Sequence, residues 1–416
     1  MSITEDGMPE GISGSFSRRH VMGLAGAAMV APLIACASAG PEPRAHSKGV
    51  AAMDVSSPQR VWAKNNLRGL LNLFLPTFLP DQQTLDEEAL RHDVRHAIAQ
   101  GFSGTLPMVN WTLPLDPRWE QFQRIVIDEA KGRLPVHGAV FNSDPDADIA
   151  LIKRLEALGV EMILITSRHD PGISAEDLYT AMHRRITSTS LPVMLYAALG
   201  RGRSFAHLGP AGQPLDVFDR LADLPNVTSV KISQPVTLIS TMQICERVAD
   251  RLLVAPVNLD FVPLLSRHYP IQWSGQWNAE AVQTPEHPLG NELIAACVAG
   301  DEKRVSEIAL RIQPVVDHFY KVQAGVISRG AHPWQHNKYY SWLGGGNGGL
   351  LPTDPHAPEG VVPVLDAISR RQIREAFAAS GLNMTDDPEE QFIVGRAAWA
   401  RGIRASSMTA SPNYEA

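Results

Sequence analysis

The chain predicts an α/β fold, a (β/α)8 barrel of the TIM type followed by a C-terminal helical appendage. Three observations carry that expectation. Short apolar, β-branched runs recur eight times between Leu70 and Ser274, and amphipathic helical patterns lie between them. Strand and helix in regular alternation build parallel sheet, and eight repeats suffice to close it. The competing doubly wound sheet wants a Gly-rich phosphate turn after its first strand, whereas Pro76-Thr77-Phe78-Leu79-Pro80 is not one.

The first 39 residues read as a leader outside the fold. Arg18 and Arg19 stand before an apolar run, Gly23 to Ala35, and small residues follow in Cys36-Ala37-Ser38-Ala39. This is the layout of a twin-arginine secretory signal. Leu33-Ile34-Ala35-Cys36 also has the form of a lipobox, which would make Cys36 a lipid-bearing first residue. Cleavage after Ala39 is the other possibility, leaving a soluble protein. Either predicts export to the periplasm or cell envelope. Residues 40–64, rich in Pro, Ala and Ser, read as a linker.

The barrel is expected over residues 65–290. Its strands are placed at Leu70–Pro76, Gly104–Val109, Val136–Phe141, Met162–Thr166, Val193–Ala197, Thr228–Ser233, Leu252–Ala255 and Pro270–Ser274. Helical patterns include Asp86–Ala99, Pro117–Lys131, Asp144–Leu158, Ala175–Ile186 and Val217–Leu224. Asp144-Pro145 supplies an N-cap residue followed by proline at the first helical position. From residue 291 to 383 the pattern is helical only, at Glu292–Ala299, Glu302–Tyr320 and Ser369–Ser380. Residues 384–416 read as a tail. Gly344-Gly345-Gly346-Asn347-Gly348-Gly349 lacks the Lys-Ser/Thr of a phosphate loop and reads as a connector.

Net charge is −7 with no basic run, which excludes a nucleic-acid groove. Three cysteines do not make a disulfide framework. No metal and no cofactor is indicated. His92 and His96 are four apart, but on a charged helical face, and the first strand offers Leu73-Phe74-Leu75 where barrel metallohydrolases want His-x-His. The dense segment Ala331 to Trp342 reads as packing against the barrel or another subunit, or as a lid. Trp111, Trp273 and Trp277 either line a pocket or fill core.

Chemistry concentrates on Lys231. It lies between Val230 and Ile232, so Ser229, Lys231 and Ser233 share one strand face. On an edge strand this is a surface lysine. Inside a barrel, desolvation would lower the amine toward neutrality and make it a nucleophile for carbonyls. Tyr196 falls near the end of the neighbouring strand, and Arg201 follows in the next loop. Lysine for a carbonyl, tyrosine for a proton and arginine for a carboxylate describe a site for a 2-oxo acid.

These residues resemble those of the dihydrodipicolinate synthase / N-acetylneuraminate lyase family of class I aldolases and dehydratases. The similarity spans about residues 68–383. It rests on Thr84-Leu85-Asp86, Gly101-Phe102-Ser103-Gly104, Tyr196 with Arg201, Leu224-Pro225-Asn226-Val227 leading to Lys231, Asn278, and Ala299-Gly300-Asp301. The resemblance implies a Schiff base on Lys231, proton relay by Tyr196, a carboxylate on Arg201, and a homo-oligomer, tetramer or dimer. Two departures stand out. Val109-Asn110-Trp111-Thr112-Leu113 occupies the place of the family's Gly-Thr/Ser-Thr/Ser-Gly-Glu, leaving Asn110 and Thr112 as hydrogen-bond donors and Trp111 to reshape the pocket. His169 and Asp170 replace a Tyr-Tyr pair, and offer acid-base chemistry of another kind. The expectation is an exported Schiff-base lyase, aldolase or dehydratase, acting on a 2-oxo acid or its aldol adduct. The alternative is a non-catalytic envelope binding protein on the same scaffold.

Overall fold

A computed structural model describes residues 56–108, 112, 116–141, 144–166, 172–198, 205–209, 212–233, 237–275, 279–409 and 411–415. Its strands are β1 Gly69–Phe74, β2 Gly104–Pro107, β3 His137–Val140, β4 Met162–Thr166, β5 Val193–Ala197, β6 Val227–Ile232, β7 Leu253–Pro256 and β8 Trp273–Gly275. Through the barrel run helices α1 Pro58–Asn66, α2 Glu87–Ala99, α3 Pro117–Ala130, α4 Pro145–Leu158, α5 Ala175–Thr187, α6 Leu215–Leu221, α7 Leu238–Val248, α8 Val262–Leu265 and α9 Leu289–Ala299. Beyond it lie α10 Glu302–Ala324, α11 Trp334–Leu343, α12 Ala367–Ala379, α13 Glu389–Val394 and α14 Arg396–Ala400. Among the described residues no helix is long and apolar enough to cross a membrane.

All ladders are parallel, in the orders β2-β1-β8 and β3-β4-β5-β6-β7. One seam is joined by the bridge between Thr105 and Val136, the other by Ser274 Oγ donating to Pro256 O at 2.6 Å. The chain thus closes into the barrel its alternation predicts. Helix starts follow local chemistry. Asp86, Asp116, Asp144, Ser174 and Thr237 each accept a hydrogen bond from a first-turn amide, satisfying a donor the helix cannot pair itself.

Two boundaries differ from expectation. The stretch read as a linker holds α1, started by the Ser57 N-cap and Pro58. A Pro-rich composition hid a proline that initiates a helix. The segment read as a tail contains α13 and α14, whose Phe392 is fully buried and meets the rings of Tyr339 and Trp342.

Helix α1 anchors the approach to β6. The Arg60 guanidinium donates to Ala222 O at 2.5 Å and to Val227 O at 3.3 Å, and Ser57 Oγ to Pro225 O at 2.5 Å. Asn226 Nδ2 then ties the same turn to Ile186 O and Thr189 O. On the other side of β5, Arg185 and Asp148 form an ion pair at 2.9 Å with both side chains fully buried, and Arg185 also donates to Thr166 O. Losing one member leaves the other charge uncompensated in the interior. Arg185→Met is therefore expected to lower unfolding free energy by about 3–5 kcal/mol in a denaturant titration. Arg184→Ala, which removes an exposed pair with Asp146, should cost no more than about 1 kcal/mol.

Candidate active site

Strand alternation and ladder register assemble the site. Ser229, Lys231 and Ser233 stay on one face of β6, and all three are buried, Lys231 at 5% exposure. Tyr196 pairs with Lys231 in the β5–β6 ladder and with Thr166 in the β4–β5 ladder, while Lys231 pairs with Ala255 of β7. Val140 pairs with Ile165, so Phe141, the next residue, stands level with Thr166. The result is one interior layer running Phe141, Thr166, Tyr196, Lys231, Ala255.

The contacts agree with the register. Lys231 Nζ lies 5.0 Å from the centroid of the Tyr196 ring, and the Phe141 ring meets the same ring edge-on at 6.3 Å. The floor is closely packed. A Cβ on Gly104 would strike the His137 ring and Leu71, so these three share the interior face, and Trp62 of α1 packs on His137. Trp273 is fully buried and fills core.

Burial sets the protonation states. Desolvation lowers the Lys231 ammonium from 10.5 to about 7, leaving a substantial neutral fraction at physiological pH. The Tyr196 phenol is raised by the same desolvation, with the Ser233 hydroxyl acting in the opposite sense. The pair thus presents a nucleophilic amine beside a phenol that retains its proton.

Of the other residues singled out from sequence, Thr112 is fully buried just past β2. Asn110, Trp111, His169, Asp170 and Arg201, like Trp277 and Asn278, lie outside the described residues, as does Cys36 with the leader. His92 bonds Gly345 O at 2.9 Å, and His96 is driven well below its ordinary range, to about 3, by burial. The Gly344–Gly349 stretch is a built element rather than a plain connector. The Asn347 amide donates to Asp93 Oδ1 at 2.6 Å, and Gly348 and Gly349 take the left-handed φ that glycine tolerates. Sequence reading passed over Phe141 and Thr166 as site residues. The signal was present, because both occupy the last inward position of a strand placed correctly or nearly so.

A second polar cluster lies against β1. Asp93, His96, Asn72, Glu280 and Lys338 line a cavity of about 30 Å³, room for about one or two waters and too small for an organic substrate. A groove of about 1160 Å³ runs along α2, α3 and α4, but ion pairs such as Arg154–Glu120 line it and no residue of the Lys231 layer does.

Fold and site define a (β/α)8 barrel carrying a desolvated lysine suited to imine formation, with a phenol at its side. Residues 66–256 match the dihydrodipicolinate synthetase family. A 4-hydroxy-tetrahydrodipicolinate synthase 1 of Halalkalibacterium halodurans is 29% identical over 237 residues, 53% of this chain and 68% of that protein. The 4-hydroxy-tetrahydrodipicolinate synthase of Chloroherpeton thalassium is 36% identical over 154 residues, 36% of this chain and 48% of that one. The match spans about half the length of several such relatives. In structure the chain resembles the dihydrodipicolinate synthase of Acinetobacter baumannii, solved with pyruvate, at a TM-score of 0.58 and 17% identity, covering 76% of this chain and 99% of that one.

The lowered amine makes a pH prediction. Because folding disfavours the proton on Lys231, the reactive free amine fills in as pH rises through about 7. Brief labelling by an amine-directed reagent, followed by peptide mapping, should plateau at Lys231 above about pH 8. Exposed lysines should keep gaining label toward their ordinary range near pH 10. A Lys231 profile that follows the exposed lysines would contradict the burial.

Proposed function

We propose that the protein is a Schiff-base lyase that acts on a 2-oxo acid, pyruvate in the simplest case, or on its aldol adduct. The observation that carries this reading is the half-neutral Lys231 amine held over the ring of Tyr196 inside the barrel. A binding protein gains nothing from an amine kept free of its proton at the cost of desolvation, which argues for turnover over mere binding.

The residues divide the work as follows. The Lys231 lone pair attacks C2 of the bound 2-oxo acid. Tyr196, still protonated, donates to the departing carbinolamine hydroxyl, which leaves as water. The resulting iminium is the electron sink. In retro-aldol cleavage the C3–C4 bond breaks, its electron pair passes into the enamine, and the C4 hydroxyl proton returns to the Tyr196 phenolate. Protonation at C3 and hydrolysis release the shortened acid. Dehydration would use the same iminium, with hydroxide lost from C4 after a proton leaves C3. Arg201, Asn110 and Thr112 are proposed to bind the carboxylate, and His169 with Asp170 to assist proton transfer. Trp111, standing in the sequence where the family carries Thr or Ser, argues against dihydrodipicolinate synthesis as the physiological reaction.

Borohydride reduction in the presence of 2-oxo acids is expected to fix a mass adduct on Lys231 in the parent protein and none there in Lys231→Ala. Tyr196→Phe should still trap but turn over about 10²–10⁴-fold more slowly. Turnover surviving in a folded Lys231→Ala protein would refute imine catalysis.

We also propose that the protein acts in the cell envelope, supported by Arg18, Arg19 and the apolar run to Ala35, and as a homo-oligomer, supported by its resemblance to the synthase family. Intact and native mass of protein recovered from the envelope should show a chain beginning at lipidated Cys36 or just after Ala39, assembled as a dimer or tetramer. An unprocessed cytoplasmic monomer would overturn both.

A further inference from the structure

We infer that the substrate carries an apolar group, aryl or alkyl, on the carbon that separates from the 2-oxo acid, and that Phe141 selects it. The inference rests on the Schiff-base reading and deepens it. Phe141 leaves 45% of its surface exposed, although the barrel buries most of its large apolar side chains. A scattered surface hydrophobe needs no explanation, but Phe141 is not one. It closes the inward run His137, Ala139, Phe141, and its ring sits edge-on to the Tyr196 ring whose face carries the Lys231 amine. Amine and phenylalanine are measured against one ring, so they stand no farther apart than those two distances end to end. A carbon skeleton anchored as an imine can span that gap.

The remaining interior positions sharpen the chemistry. Alternation from Leu71 and Gly104 puts Leu73 and Leu75 of the β1 run, and Met108 after β2, on the same inward face as Phe141. Leu75 is buried and Met108 partly so, packed on the core. Among the described residues of these strand ends, the β1–β3 side of the mouth presents apolar side chains in Leu75, Met108 and Phe141. The β4–β6 side is polar, in Thr166, Tyr196, Lys231 and Ser233. Imine chemistry and proton transfer occupy the polar side. The departing fragment is left to the Phe141 side, where a hydroxylated chain laid against the ring would lose hydration without gaining a hydrogen bond from it. Atoms balance as in the cleavage above. The C3–C4 bond breaks, the hydroxyl proton goes to Tyr196, the electron pair enters the enamine, and an aldehyde bearing the apolar group departs.

The test compares kcat/KM on two aldol adducts of pyruvate matched in length, one with a phenyl group at C4 and one with a hydroxylated chain. The parent protein should prefer the phenyl adduct by about 10–100-fold, the range a hydrophobic subsite supplies. Phe141→Ser should reduce that preference about tenfold or more, and Phe141→Leu should keep most of it. A parent protein that is indifferent, or that prefers the hydroxylated adduct, overturns the inference without recourse to any variant. So does an unchanged preference in folded Phe141→Ser. Borohydride trapping of pyruvate on the parent protein separates the two failures. Trapping without preference removes only the apolar subsite, whereas no trapping removes the Schiff-base reading and this inference with it.

Discussion

The structure turns on the burial of one amine at one register. Lys231 and Tyr196 are ladder partners, so their side chains must leave adjacent strands at the same height on the same face. Inside a closed barrel both groups are buried, and desolvation acts on both at once. It pushes each toward its neutral form, which for lysine is the nucleophile and for tyrosine the proton donor. A single environment thus prepares two complementary partners. A one-residue slip of β6 against β5 would turn Lys231 out of the interior and destroy the site while preserving the sheet.

Holding that register is the work of groups far from the chemistry. Arg60 and Ser57 of α1 fasten the turn that feeds β6, and Asn226 binds that turn to the end of α5. The buried Arg185 holds the Thr166 carbonyl at the C-terminal end of β4, one strand away from Tyr196. The cost is borne in stability. A lysine whose folded pKa falls from 10.5 to about 7 contributes its full stability only above the unfolded value. That contribution is lost as pH drops toward 7, so the fold is weaker near neutrality than in alkali.

How much of this was legible follows from what kind of information each feature needs. The eight strands and most helices announce themselves by period, and Met162–Thr166 and Val193–Ala197 fall where alternation placed them. Lys231 and Tyr196 were readable because their faces follow from parity within a strand. Phe141 was equally readable by parity, but nothing local marks a phenylalanine at a strand end as facing a tyrosine two strands away. α1 was missed because proline was weighed as a breaker and not as a first-turn residue. The burial of Lys338 was beyond reach, since it depends on α11 returning to the loop after β1, a long-range contact that no window of sequence contains.

Two lysines of the described residues are buried, and their surroundings differ. Lys338 is as desolvated as Lys231, yet its amine donates to Pro76 O at 3.0 Å and to Thr77 Oγ1 at 2.5 Å, and the charges of Asp93 and Asp86 pull against desolvation. It settles at about 8 and remains mostly an ammonium, closing a packed cavity with room for little but water. At Lys231 desolvation is what moves the amine, and the layer around it offers a phenol, hydroxyls and the small Ala255. Burial alone therefore does not make a lysine a nucleophile. Carboxylates in range turn the buried charge of Lys338 into a fastening for α11, whereas at Lys231 desolvation alone lowers the amine, beside the Tyr196 ring.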